Sequence, residues 1–401
     1  LSRNRTYHLL WSSEALSEVG FSAATIAFPL LVLAITRSPA TAGLVMGADA
    51  AAQLLAGLPA GALADRWNRK RIMLCCEAAQ ALAAASLAGA LVLHVATIGH
   101  VALVAVVLGV CRALFQPAED ASLPHVVTTD QLSTAVAMNA ARGYLGQLSG
   151  TALGGALFAI RRWLPFAVEA VSHAAAFVAL WFVRLPAQNR ELAPIGNLRR
   201  EIAEGLRWVC GQRLLRTTAL CAVGLNFFFQ AFYLVVIALS QQRGTPSAQI
   251  GLMAAMLGAG GVLGTMVAPR VQRLASPYLC IVGVFWVLTA LTPMALFIHN
   301  GYVMGLLFAA MAFLAPTAST TIFTYQLLLT PDELRGRLTG VTTVALGVAA
   351  VAGPAAGGAA AQVLPTGMAV LLCAAGTAVL TVFATVNPSL RHFPRLETDQ
   401  P

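Results

Sequence analysis

Long apolar runs alternate with short polar breaks along the whole chain. A bilayer core needs roughly 20 helical residues to cross. Runs of about that size fall at 9–35, 40–63, 72–95, 98–118, 132–159, 164–184, 214–241, 247–268, 277–297, 301–328, 338–363 and 366–387. They are continuous rather than alternating in polarity, which predicts helices and not barrel strands. Lipid cannot satisfy free backbone groups, so no third option exists. The pattern predicts an all-α membrane protein with twelve transmembrane helices in two six-helix bundles. The expected divisions are 1–185, a linker at 186–213, 214–388 and a tail at 389–401. In the linker, Leu198, Ile202, Leu206 and Val209 share one helical face, away from most of Arg199, Arg200, Glu201 and Arg207. That segment is expected to lie as an amphipathic helix on the membrane surface. The first run is long and lacks a small-residue cleavage site, so it is read as a span and not a cleavable signal peptide.

Composition excludes a soluble fold. Only 10% of the 401 residues are charged and 58% are hydrophobic, against about 25% charged in a typical soluble domain. The net charge of +9 would fit a nucleic-acid partner if it were clustered on a soluble face. Its placement says otherwise. Of the 25 Lys and Arg, 19 fall in the N-terminus, the loops after even-numbered spans, and the C-terminus. The positive-inside rule then makes both termini cytoplasmic. The basic excess faces anionic lipid headgroups, so membrane lipids are the expected partner and nucleic acid is not. The location implied is a bacterial cytoplasmic (inner) membrane, crossed many times by what is expected to be a monomer. The seven cysteines (Cys75, Cys76, Cys111, Cys210, Cys221, Cys280, Cys373) show no metal or disulfide spacing. The seven histidines show no paired catalytic spacing, and no phosphate-binding glycine loop with Lys-Ser/Thr occurs. No enzyme activity, metal, cofactor or direct ATP drive is expected.

The halves repeat each other. Gly57, Gly61, Gly150, Gly154 and Gly155 recur at Gly260, Gly264, Gly353, Gly357 and Gly358, always 203 residues later. Thr129-Asp130-Gln131-Leu132 echoes Pro331-Asp332-Glu333-Leu334 at an offset of 202. Two similar six-helix halves suit a transporter with a site between them at mid-membrane.

The loop between spans 2 and 3 runs Gly61-Ala62-Leu63-Ala64-Asp65-Arg66-Trp67-Asn68-Arg69-Lys70-Arg71. It resembles the signature of the major facilitator superfamily, with Asn68 where that signature has Gly. The resemblance implies the two-bundle transporter fold and a cytoplasmic latch built from Gly61, Asp65, Arg66, Arg69 and Lys70. It also implies that Asp65 meets the N-terminus of span 11. Asn tolerates left-handed backbone angles, so a tight turn at Asn68 remains available. Gly57 and Gly61 should let span 2 pack backbone-close to a neighbour. In the second half Ala268 stands where Asp65 would recur, so the latch there is expected to be degenerate.

Span 5 carries Gly146-Gln147-Leu148-Ser149-Gly150-Thr151-Ala152-Leu153-Gly154-Gly155. This stretch is similar to the antiporter motif of exporters in the superfamily, with Thr151 in place of the usual Pro. Span 11 keeps a proline at the equivalent place, in Gly353-Pro354. Arg5–Trp11, Pro117–Pro124 and Thr330–Arg337 are further stretches that look like the drug and siderophore exporter branch. Export is what these motifs imply.

Ionisable residues at membrane depth are functional by default. Glu14 and Glu18 share a face of span 1. Glu18 and Asp49 both lie about ten residues deep, near mid-membrane, with no basic residue in their own spans. Desolvation favours the neutral form of an unpaired carboxyl group, so these two are the leading proton carriers. Glu14 is shallower and suits the membrane interface. Glu77 and Arg112 have matching depth and are expected to pair, with Arg142 nearby, either bracing the basic loop or handling protons. Glu169 and His173, four apart in span 6, are expected to form a salt bridge or a relay. Asn226, Phe229, Gln230 and Tyr233 in span 7, with Tyr325 and Gln326 in span 10, are candidate walls of a cavity for an amphipathic small molecule. The expected function is proton-antiport export of a drug, natural product or siderophore by alternating access. The alternative is proton-coupled uptake of a nutrient.

Overall fold

The computed structural model describes residues 5–128, 131–183 and 207–391. They form α1 (Arg5–Thr36), α2 (Pro39–Arg66), α3 (Arg69–Val92), α4 (Ile98–Val126), α5 (Leu132–Ile160) and α6 (Leu164–Phe182). The second series is α7 (Arg213–Gln242), α8 (Ser247–Leu274), α9 (Pro277–Leu291), α10 (Gly301–Leu328), α11 (Asp332–Val363) and α12 (Thr366–Val386), closed by the single turn α13 (Pro388–Arg391). Eleven of these helices are long and apolar enough to cross a membrane. The other is α5, whose many Gly, Ser, Thr and Gln residues dilute its hydropathy. Of the surface helix expected at 198–209, only residues 207–209 are described, and they are helical. The rest of that segment, the Thr129-Asp130 repeat position and the tail beyond 391 lie outside the described residues.

Local chemistry sets several helix ends. Ser38, Asn68, Thr97 and Ser276 each cap a helix by accepting a backbone N–H with the side chain. Pro39 and Pro277 then occupy the first turn, where a missing N–H is harmless. The ninth span departs from the expected single helix over 277–297. It stops at Leu291 and continues as a 3₁₀ turn, Thr292–Leu296, because Pro293 cannot donate a helical hydrogen bond. Helices α4, α8 and α11 run past their expected apolar limits at the end that holds the Gly61–Arg71 loop, hereafter the basic end. Far-end connections are tight and share a device. Arg37 (φ 54°) turns the chain between α1 and α2, and Gly244 (φ 75°) does so between α7 and α8.

Packing repeats with a shift of six helices. In the first half α1 packs on α5 and α6, α3 on α4 and α6, and α2 on α4. In the second, α7 packs on α11 and α12, α9 on α10 and α12, and α8 on α10. The halves meet through α2 with α11 and α5 with α8, two contacts that the same pseudo-symmetry exchanges. Glycine makes these approaches possible. A Cβ on Gly155 would sit 2.5 Å from the Gly251 Cα, and one on Gly43 or Gly358 would strike the backbone of Pro354 or Pro39. The three α5 glycines repeated at offset 203 do matching work: Gly155 meets the start of α8 at Ser247 and Gly251, as Gly358 meets the start of α2 at Pro39 and Ala40. Gly150 and Gly154 abut the α1 backbone at Val19 and Ala23, as Gly353 and Gly357 abut α7 at Phe227 and Ala231. The pairs from α2 and α8 differ. Gly260 and Gly264 touch Ala309 and Phe313 of α10, whereas Gly57 and Gly61 have no atom of the described residues within 4 Å of a built Cβ. Among the described residues Gly57 and Gly61 therefore lack the close packing expected of them, because α2 meets α4 on another face, through Asp49 and Gln53 beside Gly109.

The apolar core shows where the two halves are joined. One cluster spans both, with Leu30 and Leu31 of α1, Phe166 of α6, Val235 and Ile237 of α7, Ile250 of α8 and Phe308 of α10. It occupies the far end. Toward the basic end the core divides, one cluster around Met73, Cys76 and Phe115 and another around Cys221, Phe285 and Ile322. Helices α5 and α8 diverge in step. The built Cβ contact is 2.5 Å at Gly251 but 4.0 Å at Gly258, two turns on, and Gly261 has nothing within 4 Å among the described residues. The molecule is closed at the far end and parted at the basic end.

Candidate functional site

Between the parted halves lies a cavity of about 660 Å³. Its wall is mostly apolar and aromatic, with Phe21, Phe28, Leu108, Phe229 and Leu257 among its members. The polar members are Thr25, Asp49, Gln53, Gln147, Thr151, Glu169, Asn226, Gln230, Tyr233 and Thr343. Two carboxyl groups thus face the cavity, and its described lining contains no Lys, Arg or His. Residues from α7 arrive there because Asn226, Phe229, Gln230 and Tyr233 recur at three- and four-residue spacing on one helical face. Tyr325 and Gln326 are elsewhere. Tyr325 packs in the second-half core with Cys221 and Phe285, and buried Gln326 donates to the Thr218 hydroxyl at 3.1 Å. They turn toward α7 inside their own half, not toward the cavity.

Asp49 accepts a hydrogen bond from Gln53 Nε2 at 3.0 Å, one turn along α2. Gly109 of α4 leaves room for it, since a Cβ there would be 2.6 Å from Asp49 Oδ1. Glu169, also at the cavity wall, is fully buried, and neither carboxylate oxygen has a hydrogen-bond partner among the described residues. Asp49 and Glu169 interact electrostatically across the site.

The remaining charges form pairs that differ from the expected ones. Glu18 is not an unpaired carrier: Arg112 of α4 grips it with two hydrogen bonds, 2.6 and 3.1 Å, and stacks over the Phe21 ring at 4.6 Å. Gly146 of α5 makes space for that side chain, with a built Cβ 2.8 Å from the Glu18 Cβ. Glu77 does not meet Arg112. It pairs with His173 Nδ1 at 2.7 Å, and both are buried. His173 therefore is not paired with Glu169, and its Nε2 has no partner among the described residues. Arg142 binds Glu119 through two bonds of 2.7 and 3.0 Å, again fully inside the first half. Glu14 is buried rather than interfacial, and its Oε1 has no hydrogen-bond partner among the described residues. Glu119 was missed as a partner because the apolar run stops near 118, while α4 stays helical to Val126. The Pro117–Pro124 motif around it was the available signal.

At the basic loop, Trp67 and Asn68 are extended (φ −97° and −63°), so the turn uses no left-handed residue. Asn68 acts as a cap, accepting from Arg71 N at 3.1 Å. Buried Arg69 donates to the Ala64 and Ala121 carbonyls at 3.3 and 2.6 Å, and Lys70 to that of Trp181 at 2.8 Å. These bonds tie the loop to α4 and α6 of its own half. The Asp65 side chain lies outside the described residues, as do those of 332–337 at the start of α11.

Comparison with known proteins agrees with this architecture. The chain is 24% identical over 413 residues to the enterobactin exporter EntS of Shigella dysenteriae serotype 1 (strain Sd197), covering 98% of this chain and 94% of EntS. It is 26% identical over 381 residues to the MFS-type transporter YfiS of Bacillus subtilis (strain 168), covering 91% of this chain and 88% of YfiS. Among solved structures, the nucleoside transporter NupG superposes with a TM-score of 0.77 at 12% identity, covering 97% of this chain and 100% of NupG. A bacterial homologue of the iron transporter ferroportin, solved in an inward-facing state, gives 0.73 at 16% identity, covering 96% and 99%. The sequence model of the Major Facilitator Superfamily matches residues 10–354, and the chain belongs to that family of membrane transporters.

Proposed function

We propose that this protein is a proton-driven exporter of amphipathic small molecules, a drug, natural product or siderophore, in a bacterial inner membrane. The observation that carries the reading is the cavity between the halves, apolar and aromatic with two carboxyl groups and no basic residue in its described lining. Such a wall favours neutral or cationic amphipaths over anions. Asp49 and Glu169 replace Glu18 as the coupling pair, because Arg112 neutralises Glu18. A bound cation and a proton compete for the same carboxylates. Protonation from outside releases the substrate there, and deprotonation toward the cytoplasm readies the site for the next. The basic end is assigned to the cytoplasm, with both termini, on the distribution of Lys and Arg. The Gly146–Gly155 stripe supports export through its resemblance to the antiporter motif of exporters; it packs α5 on α1 beside Glu18 and on α8 at the closed far end.

Uptake by proton symport would use the same carboxylates with substrate and proton moving together. Thr151, where exporters of this family carry Pro, keeps that reading in view. Proteoliposomes loaded with the lipophilic cation tetraphenylphosphonium decide between them. Antiport predicts that an imposed proton gradient drives the cation against the direction of proton flow. Movement of both in one direction overturns export.

A further inference from the structure

Several buried polar atoms in the first half, from the cavity wall inward, have no hydrogen-bond partner among the described residues. Glu169 has both carboxylate oxygens unpartnered, His173 its Nε2, Glu14 its Oε1 and Ser17 its hydroxyl, among the described residues. All four residues are at most 6% exposed. Unsatisfied polar atoms in a core are rare, and a group of them marks a place for water or for a moving proton. These are not scattered. Glu169 and His173 stand one turn apart on α6, about 6 Å along its axis, on a face that packs against α1 and α3. Ring atom Nδ1 of His173 is 2.7 Å from Glu77 of α3. Glu14 of α1 interacts electrostatically with Glu77, Glu119, Arg142 and Arg112. The groups therefore run from the cavity wall, at Glu169, through His173 and Glu77 to Glu14 and the Glu119–Arg142 pair near the basic end of α4. Glu18, the other acid of α1, is held by Arg112 and stays out of the series.

We propose that His173 and Glu77 form a proton relay inside the first half, connecting Glu169 at the cavity to the buried acids beneath the basic end. Protons then leave by a route separate from the substrate's. The step balances without any co-reactant. Protonated Glu169 passes its proton, through one bridging water, to Nε2 of neutral His173. The imidazolium so formed is held by the Glu77 carboxylate. Its Nδ1 proton moves to Glu77 Oε2 and onward to Glu14, and tautomer exchange of the neutral ring restores Nε2 as the acceptor. Histidine suits this place because an imidazole can take a proton on one ring nitrogen while giving one up from the other.

The relay rests on the proton-antiport reading, and the test separates the two. In proteoliposomes, gradient-driven uptake of tetraphenylphosphonium is compared with its exchange at equilibrium, which needs no net proton flow. Glu77→Gln keeps an acceptor for the His173 N–H but cannot take its proton. It should lower driven transport at least about tenfold while leaving exchange within about twofold. Glu77→Asp should restore driven transport, and His173→Gln should behave as Glu77→Gln does. In the unaltered protein, deuterium oxide should slow driven transport and spare exchange, a readout that requires no variant to fold. Driven transport unchanged in both Gln variants overturns the relay alone. Equal loss of driven transport and exchange also overturns it, since it makes the pair merely structural. A wild-type protein indifferent to the gradient overturns antiport and the relay together.

Discussion

Substituting Gly155 by alanine should tilt the balance between the two faces of the transporter. A methyl group there would stand 2.5 Å from the Gly251 Cα and 2.6 Å from the Ser247 carbonyl oxygen. Non-bonded carbon atoms rest about 3.5–4.0 Å apart, so α5 and α8 must separate by about 1–1.5 Å. Overpacking of this kind costs about 1–3 kcal/mol. The strain falls only on the state in which the far end is closed, because the two helices part there when the opposite face opens. A difference of about 1–3 kcal/mol shifts the equilibrium about 5- to 150-fold toward the state closed at the basic end. Spin labels at exposed Arg161 and His299 report the far end, and labels at exposed Trp67 and Leu274 report the basic end. Pulsed dipolar spectroscopy should show the first pair of labels moving apart and the second pair drawing together in Gly155→Ala. Gly251→Ala should do the same from the other side of the contact. Distance distributions that superimpose on those of the wild type would refute the role given to this contact.

Other outcomes follow from the charge pairs and the cavity wall. Glu119→Gln leaves Arg142 charged and buried without its partner, which should cost about 3–5 kcal/mol; thermal unfolding in detergent measures it, and adding Arg142→Gln should recover much of the loss. Glu18→Gln should destabilise less in the same assay, because the Arg112 side chain is 35% exposed and water can take over part of its solvation. Asn226→Ala and Gln230→Ala should weaken tetraphenylphosphonium binding measured by equilibrium dialysis, whereas Gln326→Leu, outside the cavity, should leave it within about twofold.

Run length and basic loops made the architecture readable from the sequence, because bilayer thickness and backbone hydrogen bonding admit few alternatives. The repeat was readable for a related reason. Gly150, Gly154 and Gly155 and their counterparts in α11 are needed wherever two backbones touch. Charge partners were not readable. Counting along a helix gives the depth of Glu77 and Arg112 but not the direction each points, and Glu77 faces α6 while Arg112 faces α1. In a soluble protein the polar face of a helix reveals that direction. Here lipid and core are both apolar, so Tyr325 on α10 and Tyr233 on α7 look alike in sequence although only Tyr233 lines the cavity. Glu18 and Asp49 likewise share depth, and only the structure separates the acid held by an arginine from the one on the cavity wall.

Substrate-dependent proton movement in proteoliposomes, with Asp49→Asn and Glu169→Gln beside the wild type, tests the central claim most directly. The account predicts that adding tetraphenylphosphonium to the wild type moves protons the opposite way, and that each variant loses this flux while Glu18→Gln retains most of it. Full proton flux in both Asp49→Asn and Glu169→Gln would contradict the account.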